Sequence, residues 1–169
     1  MGFRKSLHLL ITVLAGSIGY SKTCLSESFI KIGSGVTSPA GAGAVDVSMT
    51  SFGFRDQILG ALVYQYEAGL WLDSAGNGRK SSALFNICIG LEVVSGPVVA
   101  RSVHGPAFIS TPDSRLGGYF PNFNHDIYLG LRDRRGNAVG LTYKHVSNAG
   151  LMPPNVGRDF LSVDIGIPW

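Results

Sequence analysis

The residues best equipped for chemistry lie close together near the C-terminus. The segment Gly140-Leu141-Thr142-Tyr143-Lys144-His145-Val146-Ser147-Asn148-Ala149-Gly150 carries a histidine and a serine two positions apart. On a β-strand, residues i and i+2 share a face and lie roughly 6.5 to 7 Å apart. An imidazole ring covers much of that gap, so a nitrogen of His145 can approach the Ser147 hydroxyl. After the loop 149–158 the chain returns with Asp159 on the same parity as Leu161 and Val163. A hydroxyl nucleophile, an imidazole base and a carboxylate that holds the ring are the parts of acyl transfer. The intervening segment from Asn148 to Gly157 offers backbone N–H groups to an oxyanion, and its prolines stiffen it. Spacing alone leaves a second account open, in which His145 and Ser147 sit at a membrane headgroup level and Asp159 is a plain loop acid.

The elements that must position these residues are strands. From residue 26 onward apolar residues recur at period two, broken by clusters of Gly, Pro, Asn, Asp and Ser. In the clearest case Ala83, Phe85, Ile87, Ile89, Leu91 and Val93 alternate with Ser82, Asn86, Cys88, Gly90 and Glu92. Eight such segments are predicted, at 26–35, 42–52, 59–72, 82–94, 97–108, 125–133, 137–148 and 159–169. Connections at Gly53 to Asp56, Ser95-Gly96 and Arg134-Arg135-Gly136 are tight, whereas 36–41, 73–81, 109–124 and 149–158 are long. An even strand number with short turns at one end and long loops at the other is the pattern of an all-β, eight-stranded antiparallel transmembrane barrel of the outer-membrane type. A secreted β-sandwich also alternates, but it does not account for small and polar residues holding the second face so consistently. In a narrow barrel such side chains fill the lumen. On this parity His145 and Ser147 share the lipid side with Val139, Leu141 and Tyr143, at the long-loop end.

Composition agrees with this reading. The chain has 169 residues, 45% hydrophobic, 15% charged and 23 of them glycine, with a mean hydropathy of +0.22. It is too apolar for disorder, yet after residue 20 no run of 18 apolar residues marks a membrane helix. Residues 1–21 read as a signal peptide, with Arg4 and Lys5 ahead of an apolar stretch and small residues before Lys22; residues 22–169 are the barrel domain. Removing Arg4 and Lys5 from the 14 basic residues leaves 12 against 11 acidic. That balance supplies no basic patch for nucleic acid. Cys24 and Cys88 admit one disulfide or two unpaired thiols, and Lys22 just ahead of Cys24 argues against a lipid anchor. Arg132, Arg101 and Glu92 are candidates for a charge network in the lumen. His104 and His125 show no ligand spacing for a metal, and the Gly-rich segments at 33–35 and 41–43 lack the Gly-Lys-Ser/Thr of a phosphate loop. Gly76-Asn77-Gly78 reads as a turn, and Arg79 and Lys80 as a solvated loop within reach of lipid phosphates.

The run His145-Val146-Ser147-Asn148-Ala149-Gly150-Leu151, followed by Pro154-Asn155-Val156-Gly157 and Asp159, resembles the C-terminal signature of the PagL family of lipid A 3-O-deacylases. The resemblance implies an eight-stranded bacterial outer-membrane barrel whose active site faces the outer leaflet. His145 and Ser147 map onto the base and nucleophile, Asp159 onto the acid twelve residues after the serine, and Ala149, Gly150 and Asn155 onto the oxyanion site, with Asn148 supporting the loop. Two positions depart from the family. Val146 stands where an aromatic is common, and Asp159 replaces the usual Glu, shortening the arm by one methylene, about 1.5 Å. Strand 8 then has to sit closer to His145, or a water has to intervene. The implied activity is hydrolysis of the ester-linked 3-hydroxyacyl chain at the 3-position of lipid A, with no metal and no cofactor. The implied partners are lipopolysaccharide as substrate and the surrounding outer-membrane lipids; a homodimer is left open. The competing expectation is a non-catalytic adhesin or structural barrel with a decayed site.

Overall fold

Alternation along a strand sends successive side chains to opposite sides of a sheet, and here each side has its own solvent. The computed structural model describes residues 26–36, 47–73, 80–111, 116, 121–153 and 157–169. Its strands are β1 (Glu27–Val36), β2 (Val47–Leu59), β3 (Leu62–Asp73), β4 (Lys80–Ser95), β5 (Val98–Ile109), β6 (Asn122–Arg132), β7 (Ala138–Ser147) and β8 (Arg158–Pro168). Each pairs antiparallel with its sequence neighbours, and β1 pairs with β8 to close the barrel. Closure satisfies the backbone ladders without leaving an edge. At the seam Glu27 lies opposite Pro168 and Val36 opposite Asp159, and the Trp169 N–H donates to the Ser26 carbonyl at 3.1 Å.

The barrel is apolar outside and charged inside. Ile32 is 61% exposed and Leu129 62%, with Phe52, Leu70, Phe85, Leu141 and Ile165 in the same outward set. Lys31, Arg55, Glu67, Arg101, Asp126, Lys144 and Asp164 are all buried. A sandwich would bury the apolar set; this wall presents it, as a lipid-facing surface does. At the short-turn end of the lumen, Arg55 bonds Glu27 and Asp164, and Glu92 holds Arg101 and Arg132, the network expected from sequence. The middle tier pairs Lys31 and Lys144 with Glu67 and Asp126, with Lys144 2.8 Å from Asp126 and 3.1 Å from Glu67. Each charge of these two tiers therefore faces an opposite one, the condition under which ions leave water at tolerable cost. Cys88 is a buried free thiol beside Asn86 and Asn124; Cys24 and residues 1–21 lie outside the described residues.

Four expectations change. The lumen is not filled by small and polar groups throughout. At the long-loop end Val47, Met49, Trp71, Leu84, Ile109, Leu116, Val146 and Phe160 form an apolar plug, with Trp71 and Phe160 stacked at 5.2 Å. The turn expected at Gly53 to Asp56 is strand, and the chain reverses instead at Gly60, whose φ is +56°. Gly53 is small because a Cβ there would stand 2.0 Å from the Tyr66 carbonyl oxygen and 2.5 Å from the Phe29 ring. Finally, β6 begins at Asn122 rather than 125. Asn122 and Asn124 have loop-like composition but are fully buried in the lumen, which brings Phe123 onto the outer wall. Lys80 likewise starts β4 rather than lying in a loop; Gly41 to Gly43, Gly76 to Gly78 and Arg79 lie outside the described residues.

Candidate active site

Strand β7 carries Thr142, Lys144 and Val146 inward, and Tyr143, His145 and Ser147 outward. The inward set anchors the strand: Lys144 is locked to the central carboxylates, and Val146 and Phe160 pack into the apolar plug behind the site. On the outer face, register puts His145 directly opposite Asp159 of β8. His145 Nδ1 lies 2.7 Å from Asp159 Oδ1. The shorter aspartate arm reaches the ring directly, with no water between them, because the two residues face each other across one ladder step. The Tyr143 hydroxyl also donates to Asp159 Oδ1, at 2.6 Å. The His145 side chain is 39% exposed and that of Asp159 7%. The carboxylate is thus covered while the ring opens outward. Its second nitrogen, Nε2, is on the side away from Asp159. Ser147 is half-buried on the same face, and among the described residues no hydrogen bond joins it to the ring.

Beyond Ser147 the backbone turns sharply. Ala149 has φ +54° and Gly150 +79°, two consecutive left-handed residues of the kind that turn backbone N–H groups into an anion-binding concavity. Asn148 points inward and is fully buried. Its Nδ2 donates to the Leu116 carbonyl at 2.7 Å and to the Met152 carbonyl, and its Oδ1 accepts the Gly150 N–H at 3.0 Å. The side chain therefore ties two loops together and engages one of the two amides expected at the oxyanion. Asn155 lies outside the described residues. Gly157 (φ +72°) packs so closely on the ring that a Cβ there would lie 2.8 Å from His145 Cε1 and 3.4 Å from Nε2.

Residues 96–168, from the β4–β5 turn through β8, match the sequence model of the family described as Lipid A 3-O-deacylase (PagL). That span includes every site residue named above. The whole barrel resembles the crystal structure of the outer membrane enzyme PagL, with 23% identity, 85% of this chain and 99% of that one covered, and a TM-score of 0.62. The chain is similar to PagL. A de novo designed transmembrane β-barrel is also similar in fold, with 9% identity, 88% and 98% coverage and a TM-score of 0.57. No curated protein matches the chain in sequence. The designed barrel shares the architecture at an identity too low to carry the site, so the fold is separable from the chemistry. The PagL family match, by contrast, falls on the site strands.

Sequence reasoning missed three features of this outer face: the Tyr143 hydroxyl on Asp159, the packing of Gly157 on the His145 ring, and a polar cluster formed by Ser102, His104 and His125. Parity held a signal for the first and last. Tyr143 shares the face of His145, and a histidine at each of positions 104 and 125 interrupts the lipid-facing set.

Proposed function

We propose that this protein is an outer-membrane serine esterase that hydrolyses the ester-linked 3-hydroxyacyl chain at the 3-position of lipid A, using Ser147, His145 and Asp159. The observation that carries the reading is the 2.7 Å His145–Asp159 contact on the outer, lipid-facing wall, one strand step from Ser147, within the segment similar to the deacylase family. Titratable pairs of this kind are costly at a lipid surface and are retained there for function.

The chemistry follows from the donors and acceptors present. Asp159 accepts the Nδ1–H of His145, which fixes the tautomer and leaves Nε2 as the base. As substrate seats, the Ser147 hydroxyl closes on Nε2; catalytic hydrogen bonds of this type commonly tighten only in the complex. Ser147 Oγ attacks the ester carbonyl carbon, its proton passing to Nε2, and Asp159 stabilises the imidazolium. The Ala149 amide, in the left-handed turn, serves the oxyanion, and Asn148 keeps that turn rigid. Collapse expels the sugar hydroxyl, which takes the proton from Nε2. Water then cleaves the acyl-enzyme by the same base, releasing a free hydroxy fatty acid.

Mass spectrometry of lipid A from cells with and without the protein tests this. The expected result is loss of one 3-hydroxyacyl chain with the wild type and none with Ser147→Ala. An unchanged acyl pattern with correctly inserted wild-type barrel overturns it and favours the non-catalytic barrel.

A further inference from the structure

A second group of polar side chains stands on the lipid-facing wall beside the catalytic pair. Register places Asp159, His145, His125 and His104 side by side across β8, β7, β6 and β5, and sets Ser147 opposite Phe123. Ser102 Oγ and His125 Nε2 share a hydrogen bond of 3.1 Å. The His104 ring lies parallel to that of Phe123, with centroids 6.1 Å apart and planes 5° apart, and meets His125 edge-on at 5.8 Å and 83°. The His125 ring is thus held at its Nε2 edge by Ser102 and at its side by His104. Around the group the wall is apolar: Ile89 lies opposite His104, and Ile127, Leu129 and Leu131 continue down β6. Polar groups facing hydrocarbon need partners, and one shared bond leaves both the Ser102 hydroxyl and His125 Nδ1 with unused capacity.

Imidazole and hydroxyl together offer a donor and an acceptor. That pairing complements another hydroxyl better than an ion, and among the described residues no set of three or more His, Cys, Asp or Glu side chains is placed to hold a metal. We infer that His125, its ring held by Ser102 and backed by His104 and Phe123, forms a subsite that takes the hydroxyl of the 3-hydroxyacyl chain while its ester carbonyl lies at Ser147. The inference rests on the deacylase reading above. Neighbouring strands are about 4.8 Å apart, and the hydroxyl-bearing carbon lies two C–C bonds, about 2.5 Å, beyond the carbonyl carbon. Register puts Phe123 directly across from Ser147 and His125 two residues further along β6, diagonally about 7 to 8 Å from Ser147, so an acyl chain that leaves Ser147 down β6 carries its hydroxyl to within hydrogen-bond reach of the His125 ring. Its methylenes then run over Ile127, Leu129 and Leu131.

The test uses the full-length barrel in lipid and two synthetic lipid A substrates that differ only in whether the 3-O-linked acyl chain bears the 3-hydroxyl. The quantity read is the ratio of kcat/KM for the hydroxylated over the plain chain. Wild type is expected to prefer the hydroxylated substrate by roughly tenfold, the worth of one or two neutral hydrogen bonds. His125→Leu and Ser102→Ala are each expected to bring the ratio toward one, and His125→Gln, which keeps a donor and an acceptor, to restore much of it. Heat-modifiable gel mobility identifies folded variants, and Ser102→Ala tests the subsite if His125→Leu fails to fold. A wild-type ratio near one, or a ratio unmoved by both substitutions, overturns the subsite while leaving the deacylase intact. Cleavage of neither substrate by wild type overturns the deacylase reading and the subsite with it.

Discussion

Asp159 Oδ1 is shared between His145 Nδ1, at 2.7 Å, and the Tyr143 hydroxyl, at 2.6 Å. One carboxylate oxygen thus receives a hydrogen bond from two residues of the same strand, i and i+2 on β7. The tyrosine steers Asp159 toward the ring and draws charge away from it. Tyr143→Phe keeps the ring's packing and removes only the donor, so its expected effect is a modest fall in kcat, about threefold to tenfold, with KM unchanged. Asp159→Asn goes further, because an amide that donates to the ring reverses the tautomer. The expected loss is on the order of 10³ to 10⁴ in kcat. Steady-state kinetics on purified lipid A separates the two variants. Equal losses in both would mean that Tyr143 and Asp159 act as one unit rather than as support and orienter.

Gly157 makes a sharper geometric prediction. Its φ of +72° and the 2.8 Å separation of a built Cβ from His145 Cε1 act together, so Gly157→Ala strains the backbone and pushes the imidazole off Asp159. The expected result is a loss of at least about a hundredfold in kcat, as a 1 Å misplacement of a catalytic group brings. Gly60→Ala is the matched control. It has a similar φ of +56° but open space around it, so it costs about 1 to 2 kcal/mol of stability and leaves activity unchanged.

Most of the barrel was legible because lipid outside and a packed lumen inside force strict alternation, and alternation is written residue by residue. The strand ends at 53–59 and 122–124 were not, since Gly53 and the Asn122–Asn124 pair carry turn-like composition for reasons that are wholly tertiary. Gly53 makes room for Phe29, and Asn122 and Asn124 face the lumen. At the site, the His145–Ser147 spacing and the parity of Asp159 placed three side chains on one face. Register alone determines that Asp159 stands opposite His145 rather than one pair away, and register between strands is not encoded by spacing within either. The inward turn of Asn148 was illegible for the same kind of reason, because its partner carbonyl at Leu116 belongs to another loop.

Asn148 allows its two functions to be separated. Its amide nitrogen ties Leu116 to Met152, and its amide oxygen holds Gly150. Asn148→Asp keeps the acceptor for the Gly150 N–H and loses the donors, leaving two loop carbonyls facing a carboxylate. Asn148→Ala loses both. Each is expected to abolish most activity, and Asn148→Asp to melt earlier because a buried charge then faces the Leu116 and Met152 carbonyl oxygens. Thermal melts followed by gel mobility, alongside lipid A mass spectra, check the order. Full activity in Asn148→Ala would show that the turn at Ala149 holds itself.

The turn that starts β7 carries a pH dependence whose sign is fixed by its bonds. The Asp133 carboxylate accepts the Asn137 side-chain amide at 2.8 Å and the Arg135 and Asn137 backbone N–H groups at 2.8 and 2.9 Å. These donors, the Asn137 side chain foremost, hold its carboxyl below the usual carboxylate range. A depressed pKa in the folded state means that the contribution to stability is present above the unfolded value near 3.8 and is lost as pH falls through the folded one. The turn should therefore stay closed at mildly acidic pH and open only in stronger acid. Amide exchange at Gly136 and Asn137, followed from neutral pH downward, reads this directly, and Asp133→Asn should remove the transition.

Lys144 joins the site to the barrel's interior. Its ammonium is fully buried between Glu67 and Asp126, and its peptide neighbours are Tyr143 and His145. Lys144→Met removes one of the two cations that neutralise this carboxylate pair and leaves Lys31 to balance both. Breaking a buried ion network on one side typically costs about 3 to 5 kcal/mol, so the variant should lose heat resistance markedly. Because the outward face of β7 is set by backbone pairing to β6 and β8, activity at temperatures well below the melt should remain close to wild type. The double variant Lys144→Met with Glu67→Gln restores charge balance and is expected to recover most of the lost stability. Thermal unfolding of the three proteins decides it. A double variant no more stable than Lys144→Met would mean that shape, rather than charge pairing, is what Lys144 contributes to the lumen.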